Sequence, residues 1–237
     1  TAASLRERGL NVTVIGAEAL PLERVLGREV AEFVRRTHEA HGVRFRLGHR
    51  PAEIRSDGVV LDDGSVERCE LIVAGVGVEP ELGLATQAGL TVDRGIVVDE
   101  FLQTSAPYVF AAGDAARFPY ARSGRTIRVE HWAVAGRQGQ CAARNAMGRR
   151  ERFATVPFFW SQHYDLVFAY VGNAERADDA QLFGSLDAGN AAVVYRDGGR
   201  IAAVATLFRD DVSLAVEAAM ERNASDDEIA TLVRQAF

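Results

Sequence analysis

The chain has no lysine: all 27 of its basic residues are arginine. Any site here that needs a lysine amine must find it on another chain. Cysteine is nearly as scarce. Cys69 and Cys141 are the only two, and their spacing gives neither a CxxC pair nor a close metal-ligand pattern. The expectation is two reduced, buried thiols of a cytoplasmic protein. No run approaches the roughly 18 apolar residues of a membrane-spanning helix, and TAASLRERG is no secretory leader. Basic residues are also in deficit, 27 against 33 Asp plus Glu, for a formal charge of −6. That balance argues against nucleic acid or an anionic membrane as partner.

What is present reads as an ordinary globular chain. Its 237 residues, 48% apolar and 25% charged, suffice for one large domain or two to three small ones. TAASLRERG has helical spacing, Gly9 ends it, and LNVTVIG follows as a short β-branched strand. Residues 27–42 place Val30, Phe33, Val34 and Thr37 or His38 on one helical face, and VRFRLG alternates as a strand. GVVLDDGSVER predicts a hairpin with its turn at Asp62–Ser65. CELIVAGVGV predicts a buried strand ending in Gly75-Val76-Gly77. This order predicts an α/β fold, the tail of a doubly wound nucleotide-binding unit.

A second block begins at ELGLATQAGL, a short helix, and GIVVDEFLQTS, a strand and turn. Residues 131–147 form a helix carrying Ala135, Gly139, Ala142, Ala143 and Ala146, small residues suited to close packing. After Gly148 the chain becomes aromatic and extended in VPFFWSQHYDLVFAYVG. A hairpin, AAVVYRDGGRIAAVATLF, comes next, and then two helices. Ser225 with Glu228 predicts a capping box for the last one. The expected division is 1–76, 77–150 and 151–237, partial Rossmann-like units followed by a small α+β domain. His38, His41 and His49 fall on a surface helix and nearby loop, where solvation is expected and no metal spacing is seen. His163 reads as structural.

The run YVFAAGDAARFP poses the sharpest question. Tyr108 to Ala112 predict a short buried strand, and Gly113 and Asp114 end it before Ala115 and Ala116, which could open a helix. A carboxylate at the tip of a buried strand is costly unless something receives its hydrogen bonds. It could cap the following helix, or it could serve a ligand at the carboxyl ends of the strands.

GIVVDEFLQTSAPYVFAAGDAA resembles the second flavin-binding segment of the pyridine nucleotide–disulfide oxidoreductase superfamily. The resemblance implies that Gly113 lets the backbone approach FAD, that Asp114 accepts hydrogen bonds from the ribityl chain, and that Ala115 lies beside it. VAGVGVEPELGLATQAGL resembles the family's return from its NAD domain, which puts Gly75, Val76 and Gly77 against bound dinucleotide. RVEHWAVAGRQGQCAARNAMG resembles the segment whose Glu-x-Trp faces the isoalloxazine, here Glu130, His131 and Trp132. VPFFWSQHYDLVFAYVGNAE resembles the start of the family's C-terminal domain, where Trp160 is either a flavin contact or plain core. The similarity covers essentially the whole chain and points to reductases of oxygenase ferredoxins and relatives of apoptosis-inducing factor. It implies an FAD-dependent NAD(P)H oxidoreductase passing electrons to a ferredoxin or Rieske-type iron–sulfur protein.

Two departures bear on that implication. Neither of the family's GxGxxG loops occurs, so the first flavin segment and the NAD loop are expected to lie outside this chain, and the chain alone is expected to bind cofactor weakly or not at all. An open sheet edge would then invite a second copy, giving a homodimer, or a separately encoded piece. After NVTVI the acidic residue expected on the adenosine ribose comes late, as Glu18, and the nearest arginine that could greet a 2′-phosphate is Arg24. NADH is the better guess and NADPH stays open. Two other readings remain: a non-catalytic remnant or interaction module without cofactor, and a disulfide reductase whose dithiol lies upstream.

Overall fold

The computed structural model describes residues 1–175 and 177–237. The chain folds as two compact units, Thr1–Gly77 with Gln162–Val167 and Ser185–Asn190, and Val78–Ser161 with Phe168–Gly184 and Ala191–Phe237.

The first unit opens with helix α1 (Ala2–Glu7), strand β1 (Thr13–Gly16), helix α2 (Glu23–Ala40) and strand β2 (Arg44–Leu47). Strands β1 and β2 pair in parallel from Thr13↔Arg44 to Gly16↔Leu47. The crossover helix α2 buries Leu26, Val30, Ala31, Val34 and His38 on one stripe, as its 3.6-residue periodicity dictates. Gly27 interrupts the helix at φ 76°. Arg6 ties α1 to the neighbouring loops, donating to the carbonyls of His41 (2.9 Å) and Leu10 (2.7 Å). Next come β3 (Pro51–Arg55), β4 (Gly58–Leu61) and β5 (Val66–Arg68), an antiparallel meander. The expected hairpin turn at Asp62–Ser65 lies between β4 and β5.

CELIVAGVGV, predicted as a buried strand, is not one. Among the described residues, 71–78 make no backbone hydrogen bonds, and Leu71, Val73, Val76 and Val78 are all exposed. The composition suits a strand, but no neighbouring strand completes the ladder that a strand requires.

The second unit contains α3 (Gly83–Gln87), β6 (Ile96–Val97), a 3-10 turn at Gly113–Ala115, β7 (Ala116–Tyr120), β8 (Arg125–Ile127) and α4 (Trp132–Ala146). The chain continues with β9 (Phe158–His163), β10 (Leu166–Gly172), β11 (Asp179–Ser185), β12 (Asn190–Asp197), β13 (Arg200–Leu207), α5 (Asp210–Glu221) and α6 (Asp226–Arg234), with Gln162–Val167 and Ser185–Asn190 counted in the first unit. Strands β6, β7 and β8 form one small sheet and the last five strands another, ordered β11-β12-β13-β10-β9. Gly172 shows why no side chain fits at the end of β10: its φ is +101°, and a Cβ would lie 2.3 Å from the Ala202 carbonyl oxygen.

Two further expectations change. Tyr108–Ala112 forms an irregular segment with one bridge, Gln103↔Phe110, and Tyr108 is 90% exposed. Asp114 lies within a single 3-10 turn, Gly113–Ala115, and strand β7 follows, its Ala116, Phe118 and Tyr120 alternating inward. On α4 the buried face is Val134, Gln138, Cys141, Ala142 and Asn145, so Gly139, Ala143 and Ala146 of the small-residue series point outward.

The C-terminal core gathers Val171, Val194 and Val204 from the sheet with Val212, Val216, Ile229 and Val233 from α5 and α6. Ser225 caps α6, accepting from the Glu228 N–H at 3.2 Å; Glu228 pairs with Arg222. Buried Arg122 fastens this layer, donating to the Ile201 carbonyl (2.9 Å) and to Asp226 Oδ1 (2.6 Å). The second Asp226 oxygen accepts from the Ile201 N–H at 3.0 Å. Both charges of the pair are thereby hydrogen-bonded, the condition under which a buried ion pair is tolerated.

Candidate functional site

The Gly113–Ala115 turn is built by its backbone. Gly113 sits at φ +79°, a conformation that favours glycine, and its N–H donates to Gln138 Oε1 at 2.7 Å. Gln138 is a polar residue on the buried face of α4. Its Nε2 is buried and has no partner among the described residues. Arg128 Nη1 donates to the Asp114 carbonyl oxygen at 3.0 Å, and the same guanidinium pairs with Glu130 at 2.7 Å. The Asp114 carboxylate is exposed and takes no hydrogen bond or ion pair from the described residues. The reading of Asp114 as a helix cap therefore does not apply.

His131 begins α4. Its Nδ1 accepts from the Ala133 N–H at 3.3 Å, which satisfies one of the free donors at the helix start and leaves Nε2 to carry the proton of the neutral ring. Burial lowers the His131 pKa, and the Asp114 carboxylate partly opposes the shift. Around this ring stand Trp132, Phe159 and Trp160, with centroids at 5.9, 5.9 and 6.0 Å. Trp132 and Trp160 meet edge to face at 5.1 Å. They are 67% and 45% exposed, which core packing does not account for. Behind them Phe159 stacks on Tyr170 at 4.9 Å.

The structure thus gathers Gly113, Asp114, Ala115, Glu130, His131, Trp132 and Trp160 at one end of α4. Gly75, Val76 and Gly77 belong to the first unit, in its exposed extended segment, with Val76 88% exposed. Also in the first unit, Glu18 follows β1 and lies 3.9 Å from Arg24. Sequence reasoning missed Arg128 and Gln138, and named Phe159 only within the aromatic start of the C-terminal segment. Gln138 carried a legible signal, an amide at the helical interval shared by Val134, Cys141 and Asn145.

Other polar clusters are internally matched. His49 Nδ1 meets Asp62 at 3.1 Å, and Asp63 accepts from Ser65 and Arg46, a network that braces the β4–β5 turn. A cleft of about 480 Å³ between α4 and α5 is lined by Arg137, Arg144, Glu151 and Glu217 and includes none of the expected site residues. Cys141 is buried and Cys69 half-buried, both as free thiols, so the expectation of two buried thiols holds for Cys141 alone.

The donor set suits FAD. A carboxylate without a protein partner accepts hydroxyl hydrogens, the start of a helix favours negative charge, and two accessible indoles offer faces to a planar ring.

Comparison with known proteins is consistent with this chemistry. The chain is 35% identical over 215 residues to putidaredoxin reductase of Pseudomonas putida, covering 88% of this chain and 51% of that protein. Among solved structures, the ferredoxin reductase of the CYP199A2 system from Rhodopseudomonas palustris superposes with a TM-score of 0.89 at 30% identity, over 100% of this chain and 61% of that one. A covalent putidaredoxin reductase–putidaredoxin complex gives 0.88 at 29%, over 99% and 60%. The chain spans about half the length of most curated relatives it matches, between 36% and 52%. The reductase C-terminal family model matches residues 158–233. With residues 1–139 matching the family model described as pyridine nucleotide-disulphide oxidoreductase, the chain belongs to that family.

Proposed function

We propose that this chain corresponds to the C-terminal part of an FAD-dependent NAD(P)H oxidoreductase that passes electrons to a ferredoxin-type iron–sulfur protein. The observation that carries the reading is the Asp114 carboxylate, presented without a protein partner on a turn fixed by Gln138 and Arg128. It stands at the same end of α4 as His131, Trp132 and Trp160.

Asp114 accepts hydroxyl hydrogens of the ribityl chain, and Gly113 and Ala115 keep the backbone thin beside it. The start of α4 favours negative charge on the cofactor. Glu130, Trp132 and Trp160 flank the ring and restrict water, while burial lowers the His131 pKa and the Ala133 N–H occupies its Nδ1. In the first unit, Gly75 and Gly77 offer side-chain-free backbone on either side of the exposed Val76 to a dinucleotide. When bound, FAD supplies the exchange between a hydride donor and one-electron acceptors; the protein supplies position and electrostatics.

The test is made on the full-length protein. Purified anaerobically, it is expected to be yellow, to bleach with NADH and to reduce an added ferredoxin. A protein that lacks flavin and fails to take it up refutes the reading. A flavoprotein that reduces only disulfides assigns the other acceptor class.

A further inference from the structure

His38 was expected in solvent, yet it is 5% exposed. Its Nε2 lies 2.8 Å from Nδ1 of His163, the last residue of β9 before the turn into β10. His38 Nδ1 is buried and has no hydrogen-bond partner among the described residues. The turn also rests on the helix through rings: Tyr164 stacks on His41 at 3.7 Å and meets His38 edge-on at 5.2 Å.

We infer that the His38–His163 hydrogen bond is a proton-operated latch, holding the Gln162–Val167 turn on α2 while both imidazoles are neutral and releasing it on acidification. One N–H between two ring nitrogens makes the bond; two N–H groups cannot share a 2.8 Å gap. A proton added to His38 would sit at Nδ1, buried with no acceptor, so either protonation disfavours the docked turn.

The charges around the pair reinforce this. From α2 comes His41, from the end of β9 His163, and from the chain start the Thr1 amine, and all three oppose a positive His38. Strand β2 contributes the Phe45 ring, at 6.2 Å. Arg6 and Glu7 of α1 act on Tyr164 with opposite signs. No carboxylate pairs with His38 among the described residues. Burial first, then these neighbours, lower His38 to about 4, and burial lowers His163 as well.

The sign follows from linkage. A released His38 titrates near the ordinary histidine value of 6.5, so the released form binds more protons between that value and about 4. The latch is at full strength above the upper limit and weakens as pH falls through the window. Each unit of pKa difference is tenfold in the docking equilibrium.

The latch is read independently of any electron transfer. Side-chain NMR of the full-length protein, with hydrogen exchange of the turn amides, is followed from about pH 8 to about pH 4. The expected result is loss of protection at residues 162–167 on the order of 100-fold beyond the intrinsic change in exchange chemistry. His38→Phe is expected to flatten that excess loss, and His163→Gln, which leaves the buried His38 Nδ1 in place, to reduce it. A wild-type turn still protected at the acid end, or the same acid profile in either variant, overturns the inference. If His38→Phe does not fold, the wild-type titration and His163→Gln decide.

Discussion

Two apolar runs of this chain look alike on paper and differ in the fold. LIVAGVGV at 71–78 and LVFAYVG at 166–172 are both β-branched and uncharged. The second becomes β10, with β13 on one side and β9 on the other, and places Val171 opposite Val204 at zero exposure. The first stays extended and leaves Val76 88% exposed. Hydrophobicity states what a side chain prefers; a strand also needs neighbours for its N–H and C=O groups. Local sequence reports the first condition and is silent on the second.

The contrast can be broken by substitution. Val171→Asp buries an unpaired charge in the C-terminal core and is expected to cost more than about 4 kcal/mol, enough to unfold a marginally stable domain. Val76→Asp in the same chain is expected to stay within about 0.5 kcal/mol. Urea denaturation of the two variants checks both, and equal losses would erase the distinction between the runs.

Charge follows the same rule with a smaller expected effect. Arg122, whose side chain is 5% exposed, pairs with Asp226, whereas Arg24, 85% exposed, faces Glu18 at 3.9 Å. Arg122→Ala leaves Asp226 without its counter-charge and is expected to cost about 3 kcal/mol. Arg24→Ala is expected to cost less than about 0.5 kcal/mol, as for other surface pairs. Thermal unfolding of both variants is the check.

The same division explains how far the sequence could be read. The β12–β13 hairpin was legible because Gly198 and Gly199 mark its turn between two β-rich runs. Helix α6 was legible because Ser225 announces its start. Strand β7 was not, because Pro119 interrupts ARFPY and suggests a break, although Ala116, Phe118 and Tyr120 keep an inward alternation. His38 lay on the apolar face of α2 in the sequence, but its partner, His163, is 125 residues away. In the candidate site, Gly113, Asp114, Glu130 and Trp132 could be named from short motifs. Arg128 could not, since nothing local marks it.

The smallest expected effect concerns the field at the candidate site. Asp114 raises the pKa of His131 against the lowering caused by burial. Asp114→Asn is therefore expected to move the His131 titration downward, which NMR of the ring protons would detect. An upward movement or none would mean that the two groups do not sense each other.

Flavin affinity of the full-length protein, compared between wild type and Asp114→Ala by fluorescence titration, tests the central claim most directly. Removing a charged hydrogen-bond acceptor for the cofactor's hydroxyls is expected to weaken binding by about 10- to 100-fold, with the unfolding midpoint of the apoprotein unchanged. Equal affinity in the two proteins would contradict the assignment of Asp114 to the flavin.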